Sequence, residues 1–362
     1  MKRIILSVTN DLTNDQRVEK VCNTLLQQNY TILLVGRLLK NSPPIQREYE
    51  TKRFRLFFNK GILFYVEYNI RLFFFLLFSK KDIVLANDLD TLLPNYLISK
   101  LQKTPLVFDS HELFSEIPEL VNKPFKKRVW KSLENYIIPK LKNTYTVCNS
   151  IAKHYDSLYH TNFRVLRNVP HQKRGIVKSD ITSITKGKKI ILYQGAVNIG
   201  RGIELMMETV KLLDDYILLI VGSGDIIKTL QEKTMIENLQ NKVVFLGKIT
   251  PNELQKITPN ATVGLSLEED LGLNYRYALP NKLFDYIQAE VPVITSNLPE
   301  MKQIVTKYNV GEILTERTPE KLSSLIEKVA NTDYSKNLEK AKSELIWKNE
   351  EKVLIDIFKN LV

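Results

Sequence analysis

Short apolar runs alternate with longer amphipathic stretches along almost the whole chain. In the first half, Arg3–Val8, Thr31–Val35, Asp82–Ala86, Leu106–Asp109 and Thr144–Val147 predict strands. Asp15–Gln28, Leu92–Leu101 and Phe125–Leu141 predict helices between them. In the second half the predicted strands are Lys189–Tyr193, Ile217–Val221, Val243–Leu246, Val263–Ser266 and Val293–Thr295. The helices there are Ile203–Leu213, Asp225–Glu237, Asn281–Gln288 and Pro319–Ala330. These strands are apolar throughout instead of alternating with polar positions, which predicts parallel sheets covered by helices on both faces. The fold class expected is α/β. The strand–helix units are too many for one doubly wound sheet, so two such domains are predicted.

The pattern fades at Asn168-Val-Pro170 and stays polar and basic through His171–Lys188. The expected division is 1–170, a linker at 171–187, and 188–344. The last stretch, 345–362, has a helical period and is expected to pack back on the first domain. Lys52–Lys81 is the most apolar region, but Glu67, Asn69 and Arg71 interrupt it, so it contains no uncharged span long enough for a transmembrane helix. It reads as a helix buried in the first domain, with a helix that is part core and part membrane interface as the alternative.

The charge is uneven. Residues 1–180 hold 29 Lys and Arg against 16 Asp and Glu, whereas 181–362 hold 23 against 24. Glycine splits the other way, 3 against 10, so the second half carries the loops where backbone turns tightly or approaches a ligand. Two cysteines, Cys22 and Cys148, are too few for a disulfide scaffold or a cysteine-rich zinc site, and the four histidines are scattered. The opening residues read as a first strand, not a signal peptide, which points to a reducing, cytoplasmic setting.

Three segments carry candidate chemistry. Tyr193-Gln-Gly-Ala-Val-Asn-Ile-Gly-Arg-Gly202 lies where a strand becomes a helix. Exposed N–H groups near Gly195 and Gly200, the helix N-terminus and the Arg201 fork all favour a phosphate there. Val221-Gly-Ser-Gly-Asp225 repeats the arrangement with Gly222 and Gly224. Pro280-Asn-Lys-Leu-Phe-Asp285 opens a third helix, with Asn281 and Lys282 in its first turn and Asp285 one turn on. Lys282 suits a phosphate and Asp285 vicinal ribose hydroxyls; the plain alternative is an ion pair between them on a solvated helix face. In the first half, Asn10, Asp11 and Arg17 follow the first strand and His111 follows another. Both places are carboxyl ends of predicted parallel strands, where ligands bind. Helix capping by Asn14 or Asp15, and a purely structural His111, are the alternatives there.

Together these segments resemble the GT-B glycosyltransferases of the large retaining group called GT4 or group 1. The series is Gly195…Arg201-Gly202, Val221-Gly-Ser-Gly224, Val244-Phe-Leu-Gly247, and Leu279-Pro-Asn-Lys-Leu-Phe-Asp-Tyr286 with Pro292-Val-Ile294. In the first half, Thr9-Asn-Asp11, Asp15-Gln-Arg17, Asn87-Asp88 and Asp109-Ser-His-Glu112 are similar to a bacterial branch of that group. The resemblance implies two facing Rossmann-like domains and a nucleotide-diphosphate sugar held mainly by the second. Arg201 would face the diphosphate, Asp285 would hold ribose, and His111 would approach the donor sugar. Asn10, Asp11 and Arg17 would lie on the acceptor side. Two positions depart from the family pattern. Ala196 stands where a second arginine is usual, leaving Lys282 as the other diphosphate ligand, and Tyr277 stands where a glutamate is usual, leaving Glu268 or Glu269 for that role.

The function implied is retaining transfer of a hexose-type unit from a nucleotide sugar to a glycan or lipid-linked acceptor in bacterial surface polysaccharide synthesis. No metal and no cofactor are expected. The rivals are a sugar-nucleotide epimerase of the same fold, a catalytically inert scaffold, and a nucleic-acid binder suggested by the basic first half. That half has no helix-turn-helix, RRM or KH signature, so nucleic acid is not an expected partner. Its charge instead suggests an anionic membrane surface, placing the protein peripherally on the inner face of the cell membrane.

Overall fold

The computed structural model describes residues 1–361 except 14, 118, 119, 121, 122, 173 and 174. Asn14, one of the two capping candidates, therefore lies outside the described residues. The chain divides into two compact units, Met1–Asn168 with Glu350–Val362, and Val169–Asn349.

The first unit is built on seven parallel strands: β1 (Arg3–Ser7), β2 (Thr31–Leu38), β3 (Glu50–Arg55), β4 (Ile83–Asn87), β5 (Leu106–Ser110), β6 (Asn143–Thr146) and β7 (Arg164–Val165). Their order across the sheet is β3-β2-β1-β4-β5-β6-β7. Central strands read as continuous apolar runs because both faces are covered: Ile4, Ile5, Leu6, Val84 and Leu85 are fully buried. Strand β3, the sequence Glu-Thr-Lys-Arg-Phe-Arg, was not expected. It is an edge strand paired only with β2, so its polar residues are exposed or half-buried and only Phe54 is buried.

The second unit repeats the plan with β8 (Lys189–Gln194), β9 (Tyr216–Val221), β10 (Val243–Gly247), β11 (Val263–Ser266), β12 (Val293–Ser296) and β13 (Gly311–Leu314). Their order is β10-β9-β8-β11-β12-β13, again parallel throughout. Each sheet thus has the doubly wound order in which the chain runs outward to one edge, returns to the middle and runs to the other. The stretch 171–187, expected as a linker, lies within the second unit. Val169 and Ile181 belong to its core, and Thr182–Thr185 forms a short helix.

The chain ends in the helix Trp347–Lys359. Trp347 is buried in the second unit, where its N–H reaches Pro170 O at 2.8 Å. From Glu350 on, the helix belongs to the first unit. Glu350 takes Arg167 in an ion pair and accepts its backbone N–H at 3.0 Å. Glu351 accepts from Thr24 at 2.9 Å, and Phe358 stacks edge-on against Tyr30.

The apolar region of the first half resolves into β3 and the helix Gly61–Phe78. This helix is 18 residues long and apolar enough, by length and composition, to cross a membrane. Phe64, Tyr68, Leu72 and Leu76 form a buried stripe on one side, and the Tyr68 hydroxyl donates to Val8 O. The opposite stripe, Ile62, Val66, Ile70, Phe74 and Phe78, is exposed. Burial sets the expected energetics of the two stripes. Leu72→Ala should cost about 2–5 kcal/mol through the cavity it opens, whereas Phe74→Ala, at a position 52% exposed, should cost less than about 1 kcal/mol. Urea unfolding of the two variants checks the contrast; equal losses would mean that the outward stripe is also packed.

Candidate functional site

In the second unit the strand order reverses between β8 and β11, and ligands of open parallel sheets sit at the carboxyl ends of the strands flanking such a reversal. The two glycine turns meet there. Gly195, after β8, has φ +130°, and Gly222, after β9, has φ +145°. A Cβ added to Gly222 would lie 1.8 Å from Gly195 O, so the turns touch backbone to backbone and a side chain cannot be accommodated. Gly195 N–H donates to Val221 O at 2.9 Å, Gly222 N–H to Gly247 O at 2.8 Å, and Val197 N–H to Ser223 O at 3.0 Å. Beside Gly224, Asp225 N–H donates to Asn198 Oδ1 at 3.1 Å. The segments read separately in the sequence are one continuous edge.

A fully buried carboxylate, Glu268, organises this edge just past β11. Lys282 Nζ lies 2.9 Å from Glu268 Oε1, and Arg201 Nη1 lies 3.5 Å from the same oxygen. Ser266 Oγ donates to Glu268 Oε2 at 2.7 Å. Burial pushes the Glu268 carboxyl up, but Lys282, Ser266 and Arg201 together hold it below the usual carboxylate range. Lys282 stands 4.1 Å over the Tyr193 ring and Arg201 lies 5.2 Å from the Tyr275 ring centre, so each cation has an aromatic face as well as an anion. Arg201 Nε is buried and has no hydrogen-bond partner among the described residues.

The ion pair considered between Lys282 and Asp285 is replaced by this one. Lys282 reaches back to Glu268, and Asp285, half-buried, accepts from Gln194 Nε2 at 3.3 Å. Gln194 is itself fixed by Thr258 Oγ1 at 3.0 Å. Asn281 opens the helix Asn281–Gln288 and is exposed. Of the two glutamates weighed after β11, Glu268 is the one at the cations. Glu269 ties the edge by its backbone, donating to Gly200 O at 2.8 Å, and its carboxylate lies 3.5 Å from Arg317. Arg317 was not singled out in the sequence. It follows β13 and donates to Leu267 O at 3.1 Å and Ser296 Oγ at 3.0 Å, bracing the loop that carries Glu268. Its place after a predicted-parallel strand end was the available signal, but β13 is too short and mixed to stand out.

In the first unit the reversal falls between β1 and β4, and β5 lies beside β4. Asp109, fully buried at the end of β5, takes Arg17 in a two-pronged bond, Nε to Oδ2 at 2.9 Å and Nη2 to Oδ1 at 2.7 Å. Arg17 Nη1 donates to Leu166 O at 2.8 Å. Arg17, expected on the acceptor side, is therefore a buried brace only 3% exposed, placed there because Asp109 needs a charge partner out of water. His111 Nε2 lies 3.0 Å from Asp109 Oδ2 and Nδ1 lies 3.2 Å from Asp88 Oδ2. Asp88 adopts φ +60°, a region that favours glycine. It is held there by His111 N–H donating to its Oδ1 at 2.7 Å and by its own N–H donating to Asp109 O at 2.8 Å.

The charges follow from this geometry. Burial lowers His111, but Asp88 and Asp109 outweigh it and raise the imidazole to about 10, so it is an imidazolium near neutral pH. Burial raises Asp109, but Arg17 and His111 hold it at about 2. Burial raises Asp88 to about 7 despite His111. Asn10 and Asp11 shape the loop after β1. Asn10 Nδ2 donates to Asp15 Oδ2 at 2.6 Å and Asn10 Oδ1 accepts Leu12 N–H at 2.9 Å. Asp11 accepts from Thr13 Oγ1 at 2.6 Å and from Ser42 Oγ at 3.2 Å, while Asp15 caps the next helix through Val18 N–H.

Residues 177–344, within the second unit, match the profile of the family described as glycosyl transferases group 1. No curated protein sequence matches the chain. Among solved structures, the chain is similar to sucrose-phosphate synthase from Thermosynechococcus elongatus, at 14% identity and a TM-score of 0.80 over 100% of this chain and 99% of that one. It is similar to a glycosyltransferase from Rickettsia africae, at 17% identity and a TM-score of 0.73 over 99% and 98%. It is also similar to Anabaena Alr3699/HepE, solved with UDP-glucose, at 13% identity and a TM-score of 0.71 over 100% and 99%. At these identities the likeness is one of fold: two Rossmann-like α/β domains, the GT-B plan.

The buried network of the first unit makes two predictions. Arg17→Met removes the two-pronged partner of Asp109, leaving His111 alone beside it, and should cost up to about 3–5 kcal/mol, read by urea unfolding; a loss below half of this would mean that His111 or water compensates Asp109. His111 binds its proton more tightly folded than unfolded. Its stabilisation is therefore complete below 6.5 and is lost as pH rises through about 10. The stability margin of the parent over His111→Gln should shrink across that window; a margin that grows instead would mean the histidine is neutral in the folded protein.

Proposed function

We propose that the chain is a retaining, GT4-type glycosyltransferase that moves a hexosyl unit from a nucleotide-diphosphate sugar to a glycan or lipid-linked acceptor. The observation that carries the reading is the convergence of Arg201 and Lys282 on one edge of the second sheet, beside two glycine turns packed backbone to backbone. This edge lies in the stretch that matches the glycosyltransferase family. A diphosphate is the ligand for which two cations, an unmet Arg201 N–H and a helix N-terminus at Asn281 are suited.

In this reading Arg201 and Lys282 hold the diphosphate and stabilise the negative charge that grows on it as the glycosidic bond breaks. Glu268 keeps both cations in place before the donor arrives. Asp285, oriented by Gln194, holds the ribose hydroxyls. His111, whose two ring nitrogens face Asp109 and Asp88, contributes its positive charge to the carboxyl edge of the first unit. Attack comes from the face the leaving group departs from, and the departing phosphate takes the acceptor proton, so no protein nucleophile is assigned. The two cations supply the charge a metal would otherwise supply, so turnover should survive EDTA. Cys22 and Cys148, fully buried and in no disulfide, fit work in a reducing cytoplasm.

Arg201→Ala removes a charge-assisted bond of roughly 1.5–3 kcal/mol, so nucleoside diphosphate affinity, measured by calorimetry, should fall about tenfold or more. Asp285→Asn should weaken the nucleoside monophosphate as well, which Arg201→Ala should affect less. Release of nucleoside diphosphate from a panel of nucleotide sugars identifies the donor. Unchanged nucleotide affinity in both variants would overturn the assignment of the edge, and an isomerised sugar nucleotide would replace transfer by epimerisation.

A further inference from the structure

The first unit carries an apolar face that its own core does not use. The exposed stripe Ile62, Val66, Ile70, Phe74 and Phe78 runs the length of the helix Gly61–Phe78, each residue between 48% and 82% exposed. Phe57, just ahead of it, is 84% exposed. This helix packs beside Leu89–Gln102, which packs beside Pro124–Ile137. All three connect strands that advance in the same direction across the sheet, from β3 to β4, β4 to β5 and β5 to β6, so right-handed crossovers put them on one face. The second helix exposes Leu93, Leu97 and Leu101, and the third Phe125, Val129 and Tyr136, again at helical spacing. Scattered exposed apolar residues are ordinary; three adjacent helices each presenting a stripe are not.

Exposed cations flank this face. Lys60, Lys80, Lys100 and Arg128 are exposed at its margins. The acids of the three helices are turned to internal use: Asp90 and Glu134 are buried, and Glu67 accepts the N–H groups of Phe57 and Phe58 and Arg71 Nε at 2.9 Å. Near the last turn of the first helix, Lys52 and Lys80 line a cavity of about 380 Å³ together with Phe75, Ser79 and an Arg3–Glu50 pair. Neither lysine is in an ion pair among the described residues.

We infer that this face docks on an anionic lipid bilayer, with the outward stripe of Gly61–Phe78 lying in the interface and the surrounding cations against lipid phosphates. An apolar surface flanked by cations that are in no ion pair among the described residues fits such a bilayer, which offers hydrocarbon and negative charge together. A second copy of the chain would bring the same cations against one another, which argues against self-association through this face. Crossing the membrane is excluded by the inner stripe, because Phe64, Tyr68, Leu72 and Leu76 are core residues of the sheet. The inference uses residues apart from the proposed nucleotide site, so either can fail without the other.

Co-sedimentation with vesicles tests it, using the full chain without nucleotide. The protein should pellet with vesicles of phosphatidylglycerol and phosphatidylcholine, stay in solution with phosphatidylcholine alone, and be released at 1 M salt, where screening shortens to about 3 Å. Ile70→Ser with Phe74→Ser should lower the vesicle affinity at least about tenfold. Phe57→Ser with Phe78→Ser, at the most exposed positions, gives the same readout should the first pair disturb the fold. Lys80→Glu with Arg128→Glu should lower it by about tenfold or more, with nucleotide affinity unchanged in every variant. Recovery in the supernatant with anionic vesicles would overturn the inference. So would a lipid-free dimer, seen by analytical ultracentrifugation, that the serine variants convert to monomer.

Discussion

Each unit depends on one carboxylate that has left water and must keep a cation beside it. Asp109 and Glu268 are both fully buried, one at the end of a central strand and the other just past one, and both are held ionised by cations beside them. Removing such a partner is far more costly than removing a surface pair, because the remaining charge cannot be solvated. The carboxylates therefore fix where Arg17, His111, Arg201 and Lys282 stand, and through them the shape of each carboxyl edge. The same device gives different results. In the first unit Arg17 is consumed as a brace and the charge is passed to His111; in the second, two cations share one anion, which leaves cationic capacity at the edge.

The two glycine turns complete the second edge by a different means. Where Gly222 meets Gly195, contact is made by main chain alone, so the approach relies on the absence of a side chain. Arg317 and Ser296 then brace the loop carrying Glu268 from the far side. The edge is thus assembled from the ends of β8, β9, β11, β12 and β13, segments separated by more than a hundred residues of sequence. A parallel sheet is the architecture that brings such distant ends to one line.

How much of this was legible beforehand depended on the range of the interaction. Strands such as Val263–Ser266 and helices such as Asn281–Gln288 announce themselves by local apolar pattern. Strand β3 does not, because an edge strand buries little and its Glu-Thr-Lys-Arg-Phe-Arg reads as a charged loop. The identity of the candidate residues was readable from strand-to-helix turns, but their partners were not. Lys282 has Asp285 as its neighbour along the helix and Glu268 as its neighbour in space. Arg17 looks like a ligand contact after a first strand until Asp109, brought by the fold, is seen to take both prongs of its guanidinium. The outward stripe of Gly61–Phe78 was visible as excess hydrophobicity, but which half of it the core would use is a tertiary fact.

The return of Glu350–Leu361 to the first unit bears on the order in which the protein is made. Glu350 holds Arg167, Glu351 holds Thr24 and Phe358 covers Tyr30, so the first unit lacks part of its own packing until these residues exist. Every residue of Val169–Asn349 leaves the ribosome before them. The segment synthesised second can thus close first, on a core supplied wholly by its own stretch of chain. The segment synthesised first waits, its helix Gln16–Gln27 unshielded on one side, for the final turns to emerge. Translation proceeds at about 5–20 residues per second, so this interval lasts on the order of ten to forty seconds, a window in which a chaperone has an open flank to hold.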